Sequence, residues 1–442
     1  MINRRIFNLA WPAICEMMLY MLLNFVDVAF VGRLGAQSLA AVSLGAQIYF
    51  SVIFLFAALS TGATALIARA VGANNQKRAG QVAGRTLMLA LLLGVAITLC
   101  FHLFAEAIIG LFHFEQAVQQ MAAAYVKITG SIAAFALILF VCNGIFRGAG
   151  LTKIPFYVAA LTNVVNIIGD YVLIFGKFGF PALGVQGAAL ATAAAQVLGC
   201  LVMVVLLLSG ATQVRVRLRD LVYLGDFELT SVIVKLSTPA GLEQVLMSMA
   251  SILASFMLSG LGTVPFAAHQ VVMTAESLSF MPGYGFAVAA TTLVGQSLGA
   301  QKPEQANEHG LAALKMALLI MGTTGLVFLF FPSLIIRIFT SSGPVLELGS
   351  FCLRIAAFEQ PSLAVEMVLA GALRGAGDTR TPALITILSN WLLRIPLFYL
   401  AIYVFHWGLP AIWGITVFDW FVRAVFVTVQ YRRGRWQQIS IG

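Results

Sequence analysis

The sequence contains few charged residues. Lysine, arginine, aspartate and glutamate make up 10% of its 442 residues, whereas hydrophobic residues make up 60%. A soluble protein has about 25% charged residues, because its surface needs them. A membrane-spanning helix uses about 20 apolar residues, so twelve spans would use roughly 240 residues and leave only short loops. The composition therefore excludes a string of soluble domains and predicts an all-α polytopic membrane protein.

Motifs for soluble-enzyme chemistry are also scarce. The five cysteines are irregularly spaced and form no C-x-x-C pair, which argues against a disulfide framework or a zinc site. There is no H-E-x-x-H and no G-x-x-x-x-G-K-[ST], the patterns of zinc proteases and P-loop nucleotidases. The basic residues form short clusters, not the contiguous surface that nucleic acid needs. We therefore expect no enzyme activity, no cofactor, no metal centre and no nucleic-acid partner.

Hydrophobic runs and polar breaks divide the chain into twelve predicted spans. The first six lie near residues 9–31, 40–67, 86–110, 127–146, 155–175 and 184–208. The second six lie near 236–258, 266–295, 311–336, 352–372, 382–405 and 411–431. One long polar stretch separates the two sets. We therefore predict a first lobe at 1–212, a cytoplasmic linker at 213–230 and a second lobe at 231–442.

The second half of the chain repeats the first without a gap. Phe146-Arg-Gly-Ala-Gly150 returns as Leu373-Arg-Gly-Ala-Gly377, an offset of 374 − 147 = 227 residues. At the same offset Pro12 meets Pro239, Glu16 meets Glu243 and Asn163 meets Asn390. Six spans per repeat is an even number, so both halves enter the membrane from the same side. This predicts two six-helix lobes related by a pseudo-two-fold axis along the membrane normal.

Basic residues are concentrated in alternate loops. Segments such as Arg4-Arg5, Lys77-Arg78 and Arg432-Arg433 would all lie on one side of the membrane. The opposite side has few basic residues, for example Arg33 and Lys177. The positive-inside rule therefore predicts a multi-pass protein of the cell membrane with both termini in the cytoplasm.

Polar side chains inside the first half form stripes on three predicted helices. A charged group at the bilayer centre costs at least about 2.5–3.5 kcal/mol, so each needs a polar environment within the protein. The spacing of 3 or 4 residues places each set on one helix face. The stripes are Glu16, Tyr20, Asn24 and Asp27 in the first span, Asn163, Asn166 and Asp170 in the fifth, and Thr192 and Gln196 in the sixth. They predict a shared hydrophilic pocket, with hydrogen bonds that only join helices as the alternative.

The second half does not repeat these carboxylates. Asp27 aligns with Ala254 and Asp170 with Leu397, so the scaffold does not require them. Arg394 and Asp419 are predicted to form a structural ion pair, because a buried charge needs a partner. The sequence leaves open whether second-lobe glutamates add another site, the candidates being Glu243, Glu276, Glu359 and Glu366.

Several of these segments together resemble one transporter family. Asn24 to Gly35 is similar to the first-helix signature of multidrug and toxic compound extrusion (MATE) transporters, and Asn166 to Gly176 is similar to their fifth helix. Leu183 to Thr192 and the two Arg-Gly-Ala-Gly segments fit the same family. The Asn-x-x-x-Asp arrangement ending at Asp170 resembles the DinF-like branch.

The resemblance implies a two-lobed antiporter that exports lipophilic, often cationic compounds by alternating access. It implies a cation-coupling site at Asp27, Asn166, Asp170 and Thr192, with either protons or sodium as the coupling ion. A carboxylate pair can hold a proton without a full oxygen cage, which favours protons. Candidate substrate contacts are Tyr20, Met21, Asn24, Asn163 and Gln196. The alternative is a lipid-linked oligosaccharide flippase of the same superfamily. We expect a monomer in contact with membrane lipid.

Overall fold

The computed structural model describes residues 2–210, 214–217, 220 and 227–440. Within these residues all regular secondary structure is helical. Ten helices of the described chain are long and apolar enough to cross a membrane, and a bent pair forms an eleventh candidate. The twelfth is a broken helix at the position equivalent to the bent pair in the second half. The predicted all-α membrane fold is confirmed.

Twelve helices or broken helices follow one another within the described residues. The first six are α1 (Ile2–Gly32), α2 (Ala36–Gly72), α3 (Gln76–Gly110), α4 (Gln116–Gly130 with Ala133–Gly148), α5 (Lys153–Phe175) and α6 (Val185–Leu208). The second six are α7 (Phe227–Ser259), α8 (Thr263–Gly299), α9 (Pro303–Phe330), α10 (Gly343–Ala356 with Gln360–Gly375), α11 (Arg380–Val404) and α12 (Leu409–Arg432).

Several predicted spans differ from the helices of the structure, and α1, α3 and α7 begin 7, 10 and 9 residues before their predicted starts. The fourth was expected at 127–146, but α4 begins at Gln116 and bends by 55° between its two parts. The ninth was expected to run to residue 336, but α9 ends at Phe330. Pro332 disfavours a helical backbone at the residue before it, and Phe331 has left the helical region. The tenth was expected from residue 352, whereas α10 begins nine residues earlier, at Gly343.

Two helices of the second half contain irregular turns. A 3-10 turn at Ala357–Glu359 interrupts α10, and α11 has π-helical turns at Ser389–Arg394 and Leu400–Val404. Pro396 has no N–H to donate to the carbonyl group four residues earlier, so the regular α pattern cannot continue there. Turns of both kinds inside long helices often mark functional positions.

The chain divides into two compact units. One contains Cys15–Ser237, and the other contains the residues up to Ile14 together with those from Thr238 onward. The first part of α1 thus belongs with the second half of the sequence, and the first part of α7 belongs with the first half. Part of the predicted linker, including Gln213 and Arg219, lies outside the described residues. The predicted lobe boundaries at 212 and 231 stay a prediction.

Candidate functional site

Close packing of α5 against α6 positions the polar stripes of these helices. A methyl group on Gly187 would lie 2.5 Å from the carbonyl oxygen of Leu173, and one on Gly169 would lie 3.0 Å from the Ala191 side chain. Only small residues allow helix backbones to approach this closely. The arrangement brings Asn166 of α5 next to Thr192 of α6.

Asn166 bridges two carboxyl groups. With its amide nitrogen facing the acids, it donates to Oδ1 of Asp27 at 3.0 Å and to Oδ2 of Asp170 at 3.1 Å. Its oxygen accepts from the backbone N–H of Thr192 at 3.2 Å and from the Thr192 hydroxyl at 3.3 Å. An asparagine side chain has two donors and can accept twice, so this one amide is fully used. The four residues of the predicted coupling site therefore form one network.

The two carboxyl groups of this network also contact each other. Asp27 and Asp170 lie within hydrogen-bonding reach, and Asp170 is 1% exposed. Two ionised carboxylates have no proton to share, because each can only accept. Their contact in a poorly solvated site requires a proton or a cation between them. Oδ1 of Asp170 has no hydrogen-bond partner in the described part of the chain, so it can still accept from a ligand.

Two tyrosines that the sequence analysis did not select complete the surroundings of this site. Tyr125 of α4 is 4% exposed and lies within reach of the Thr192 hydroxyl. Tyr49 of α2 is fully buried and donates to Oε1 of Gln196 at 2.8 Å. Gly45 makes room for Tyr125, because a methyl group there would lie 2.8 Å from the ring. No periodic polar pattern on α2 or α4 marks these tyrosines in the sequence.

The predicted substrate contacts fall into two groups. Asn163 is buried and donates to the backbone oxygen of Leu19 at 2.6 Å, and Gln196 is bonded to Tyr49. These two side chains join helices in the structure. Tyr20 and Met21 are half-buried and Asn24 is exposed, so α1 presents them toward a surface of its unit.

In the second lobe, Asp419 lies between two arginines. One of its oxygens is 2.7 Å from the guanidinium of Arg394 and 2.7 Å from that of Arg423. Ser389 donates to its other oxygen. Both guanidinium groups lie over the Trp420 ring, Arg423 at 4.7 Å and Arg394 at 5.6 Å from its centre. The expected partners are thus in contact, and Arg423 is a third member that the sequence analysis did not name.

A further pair of ion pairs follows the internal repeat. Arg147 donates to Glu16 at 2.7 Å, and Arg374 donates to Glu243 at 2.9 Å. Each arginine belongs to an Arg-Gly-Ala-Gly segment, and each pair joins the first helix of its repeat to the fourth. This geometry fits a scaffold role for both glutamates. Among the described residues, no group of three or more His, Cys, Asp or Glu side chains could hold a metal ion.

One further contact superficially resembles hydrolase chemistry. Gly295 to Gly299 reads Gly-Gln-Ser-Leu-Gly, and the hydroxyl of Ser297 lies 2.9 Å from Nδ1 of His309. A hydrolase places this motif on a sharp turn between a strand and a helix. Here it lies inside α8, and both side chains are buried. The contact therefore joins α8 to α9.

Comparisons with known proteins match the whole length of the chain. The MatE family model matches residues 12–172 and 239–400, one match in each half. The chain is 32% identical to a probable multidrug resistance protein NorM of Thermotoga maritima, over 100% of this chain and 94% of that protein.

Solved structures with a similar fold include two transporters. A MATE transporter in complex with MaL6 superposes with a TM-score of 0.91 at 25% identity, covering 99% of this chain and 98% of that chain. A MOP superfamily transporter from Pyrococcus furiosus, described as having a binding pocket of reverse polarity, gives 0.90 at 25% identity, covering 99% and 97%.

Proposed function

The chain belongs to the MatE family of membrane transporters, and from this we propose that it is an ion-coupled antiporter that exports lipophilic, often cationic compounds by alternating access. The observation that carries the proposal is the contact between Asp27 and Asp170, bridged by Asn166. Assignment to the DinF-like branch is part of the proposal, because it rests on the same residues.

Competition for the carboxyl pair supplies the coupling. The pair binds either the coupling ion or the cationic substrate. The substrate acts on the pair directly or by changing the positions of neighbouring side chains. Each occupant relieves the repulsion between the two acids, so the loss of one favours entry of the other. A ligand shifts a conformational equilibrium only through different affinities for the two states. Exchange follows if the ion and the substrate reach the pair from opposite sides of the membrane and each favours a different one of the two conformations.

We propose protons as the coupling ion. A hydrogen bond between the two carboxyl groups needs one proton, whereas sodium in proteins takes several oxygen ligands. Among the described residues, the side-chain oxygens of this network belong to Asp27, Asp170, Asn166 and Thr192, with the Tyr125 hydroxyl next to Thr192. Sodium ligated by these four residues is the alternative.

Vesicles with imposed gradients test the coupling ion. Purified protein in liposomes is loaded with a fluorescent lipophilic cation, and its efflux is followed under a pH gradient or under a sodium gradient at equal pH. We expect the pH gradient alone to drive efflux. Efflux that follows only the sodium gradient would replace protons with sodium and leave the site unchanged.

The half-buried Tyr20 and Met21 and the exposed Asn24 are the proposed substrate contacts on α1. Methionine is flexible and polarisable and adapts to ligands of different shape.

A drug-susceptible host that expresses the chain should tolerate a panel of cationic dyes better than a host with the Asp27→Asn variant. Unchanged tolerance with normal expression would favour the lipid-linked oligosaccharide flippase instead.

We further propose that the protein acts as a monomer in the cell membrane with both termini in the cytoplasm. The asymmetry of basic residues between alternate loops supports the orientation. Reporter proteins fused to each end, one fluorescent only in the cytoplasm and one active only outside it, test the orientation.

A further inference from the structure

The second lobe contains a buried carboxyl pair outside the proposed coupling site. Glu276 lies within α8, and Glu359 lies in the 3-10 turn that interrupts α10. Their exposed fractions are 3% and 0%, and their carboxyl groups are within hydrogen-bonding reach of each other. Neither oxygen of Glu359 has a donor partner in the described part of the chain. Glu359 therefore lacks the hydrogen-bond donors that stabilise a buried carboxylate.

Elementary chemistry requires a proton or another cation at this contact. Ionised carboxylates only accept hydrogen bonds, so two of them in contact repel, whereas a carboxylic acid donates to a carboxylate. The repulsion is strong where water is excluded. One proton on the pair converts the contact from repulsive to attractive.

The charges of neighbouring residues also favour one proton on the pair of glutamates. Asp419 with Arg394 and Arg423 carries one net positive charge. Arg394 and Asp419 also interact electrostatically with Glu359. A carboxyl pair that holds one proton carries one negative charge, so the pair and this triad are together neutral. With both glutamates ionised, a net negative charge would be buried, which is costly in a membrane.

Two other titratable groups lie near this set. Glu366 interacts with Arg374 and Glu243 and also with Arg423 and Asp419, which places it between the Glu243 ion pair and the triad. His269 packs against Trp413 with ring centres 5.5 Å apart and interacts with Arg394. No contact among the described residues places either group within hydrogen-bonding reach of the carboxyl pair.

The pair is not required by the repeated scaffold. The equivalent positions in the first lobe are Tyr49 and Ile132, at the same offset of 374 − 147 = 227 residues. In the first half α4 is bent by 55° at the equivalent place, whereas in the second half Glu359 ends a 3-10 turn and Arg394 ends a π-helical turn. Such turns allow side chains to reach positions that a regular helix does not offer.

We propose that Glu276 and Glu359 form a second proton-binding site that holds one exchangeable proton, separate from Asp27 and Asp170. Arg394, with Asp419 and Arg423, sets the charge that limits this site to one proton. The proposal does not depend on which ion drives export, because it concerns protonation of the second lobe alone.

Infrared difference spectroscopy between acidic and alkaline buffer tests the proposal on the full-length protein in lipid. Protonated carboxyl groups have a C=O stretching band that shifts in heavy water and that carboxylates lack. We expect Glu359→Gln and Glu276→Gln each to remove one such band. The exposed control Glu106→Gln and the double variant Asp27→Asn with Asp170→Asn should both retain it.

Either glutamine variant is sufficient for the test if it remains monodisperse, so the test does not depend on both variants folding. The proposal is overturned if the band persists in every monodisperse glutamine variant. It is also overturned if the wild type has only carboxylate bands that shift with sodium and not with pH. Failure of the export proposal would leave these bands unchanged, so the two failures are distinguishable.

Discussion

Thr192 and Asp419 occupy equivalent positions in the sixth helix of the two repeats, 419 − 192 = 227 residues apart, but their partners differ in charge. Thr192 donates its backbone N–H and its hydroxyl to Asn166, at 3.2 and 3.3 Å. Asp419 lies 2.7 Å from each of two guanidinium groups. One scaffold position thus holds a neutral ligand group in the first lobe and a paired ion in the second. Changes in the two lobes should therefore affect different properties.

Removing either carboxylate of the first lobe should abolish active export. Asp27→Asn and Asp170→Asn keep the shape of the side chain but remove a charge that, in the proposed mechanism, binds the coupling ion. We expect dye efflux from energised vesicles, normalised to monodisperse protein, to fall to the level of empty vesicles. Glu106→Gln removes an exposed carboxylate that pairs with Lys127 and should transport normally. Normal transport by both aspartate variants with loss in Glu243→Gln would move the coupling site to the second lobe.

Binding of a cationic substrate should weaken as the pH falls. Acid fills the Asp27–Asp170 pair with protons, and these compete with the cation, so affinity is highest where the pair has lost its protons. Fluorescence titration of the purified protein with a dye at several pH values measures this. The Asp170→Asn variant should bind with an affinity that varies much less with pH. An equal pH dependence in the variant would show that another group is responsible.

Replacing Asn166 with leucine should impair transport while leaving the protein folded. The second repeat already has leucine at the equivalent position, Leu393, so the scaffold tolerates this side chain. The variant loses both hydrogen bonds to the carboxyl groups, each worth about 1.5–3 kcal/mol because the acceptor is charged. Dye efflux should fall at least tenfold, compared with little change for Asn8→Leu at an exposed position of α1. Full activity would contradict a bridging role.

Asp419→Asn should lower stability more than it lowers transport. The change leaves Arg394 and Arg423 without their carboxylate, and breaking a buried ion pair costs about 3–5 kcal/mol. Unfolding of the purified protein in detergent, followed by thermal or denaturant titration, measures this loss. Glu106→Gln breaks an exposed pair and should leave the unfolding midpoint unchanged. Unchanged stability of Asp419→Asn would argue against a structural role.

A methyl group at Gly45 should displace Tyr125 from the coupling site. It would lie 2.8 Å from the tyrosine ring, and overpacking of this kind costs about 1–3 kcal/mol. Alanine is otherwise favoured over glycine in a helix by about 1 kcal/mol. Gly322→Ala in α9 is the matched control, because nothing lies within 4 Å of its added methyl group. We expect lower stability and slower efflux for Gly45→Ala only, and equal behaviour of the two variants would exclude this role.

The sequence by itself determined the membrane class, the twelve spans and the repeat. These follow from features that can be read along the chain itself, namely its apolar content, the helical spacing of its residues, and one repeat offset that needs no gap. The stripes containing Asp27, Asn166 and Asp170 were visible for the same reason, because a helix places residues 3 or 4 apart on one face. Each stripe lies within one helix, so no knowledge of neighbouring helices was needed to find it.

Only the tertiary structure decided which side chains meet across helices. The Asn166 amide between two acids, the position of Tyr125 behind Gly45 and the contact of Glu276 with Glu359 all join residues far apart in the chain. Arg423 follows Asp419 by four residues on α12, a spacing that marks a side-chain pair in the sequence itself, whereas the contact of Arg394 with Asp419 comes from another helix. Such contacts depend on helix rotation, on close packing at glycines and on irregular turns such as Ser389–Arg394. None of these is fixed by the residues of one helix, because the neighbouring helix supplies the other half of every contact.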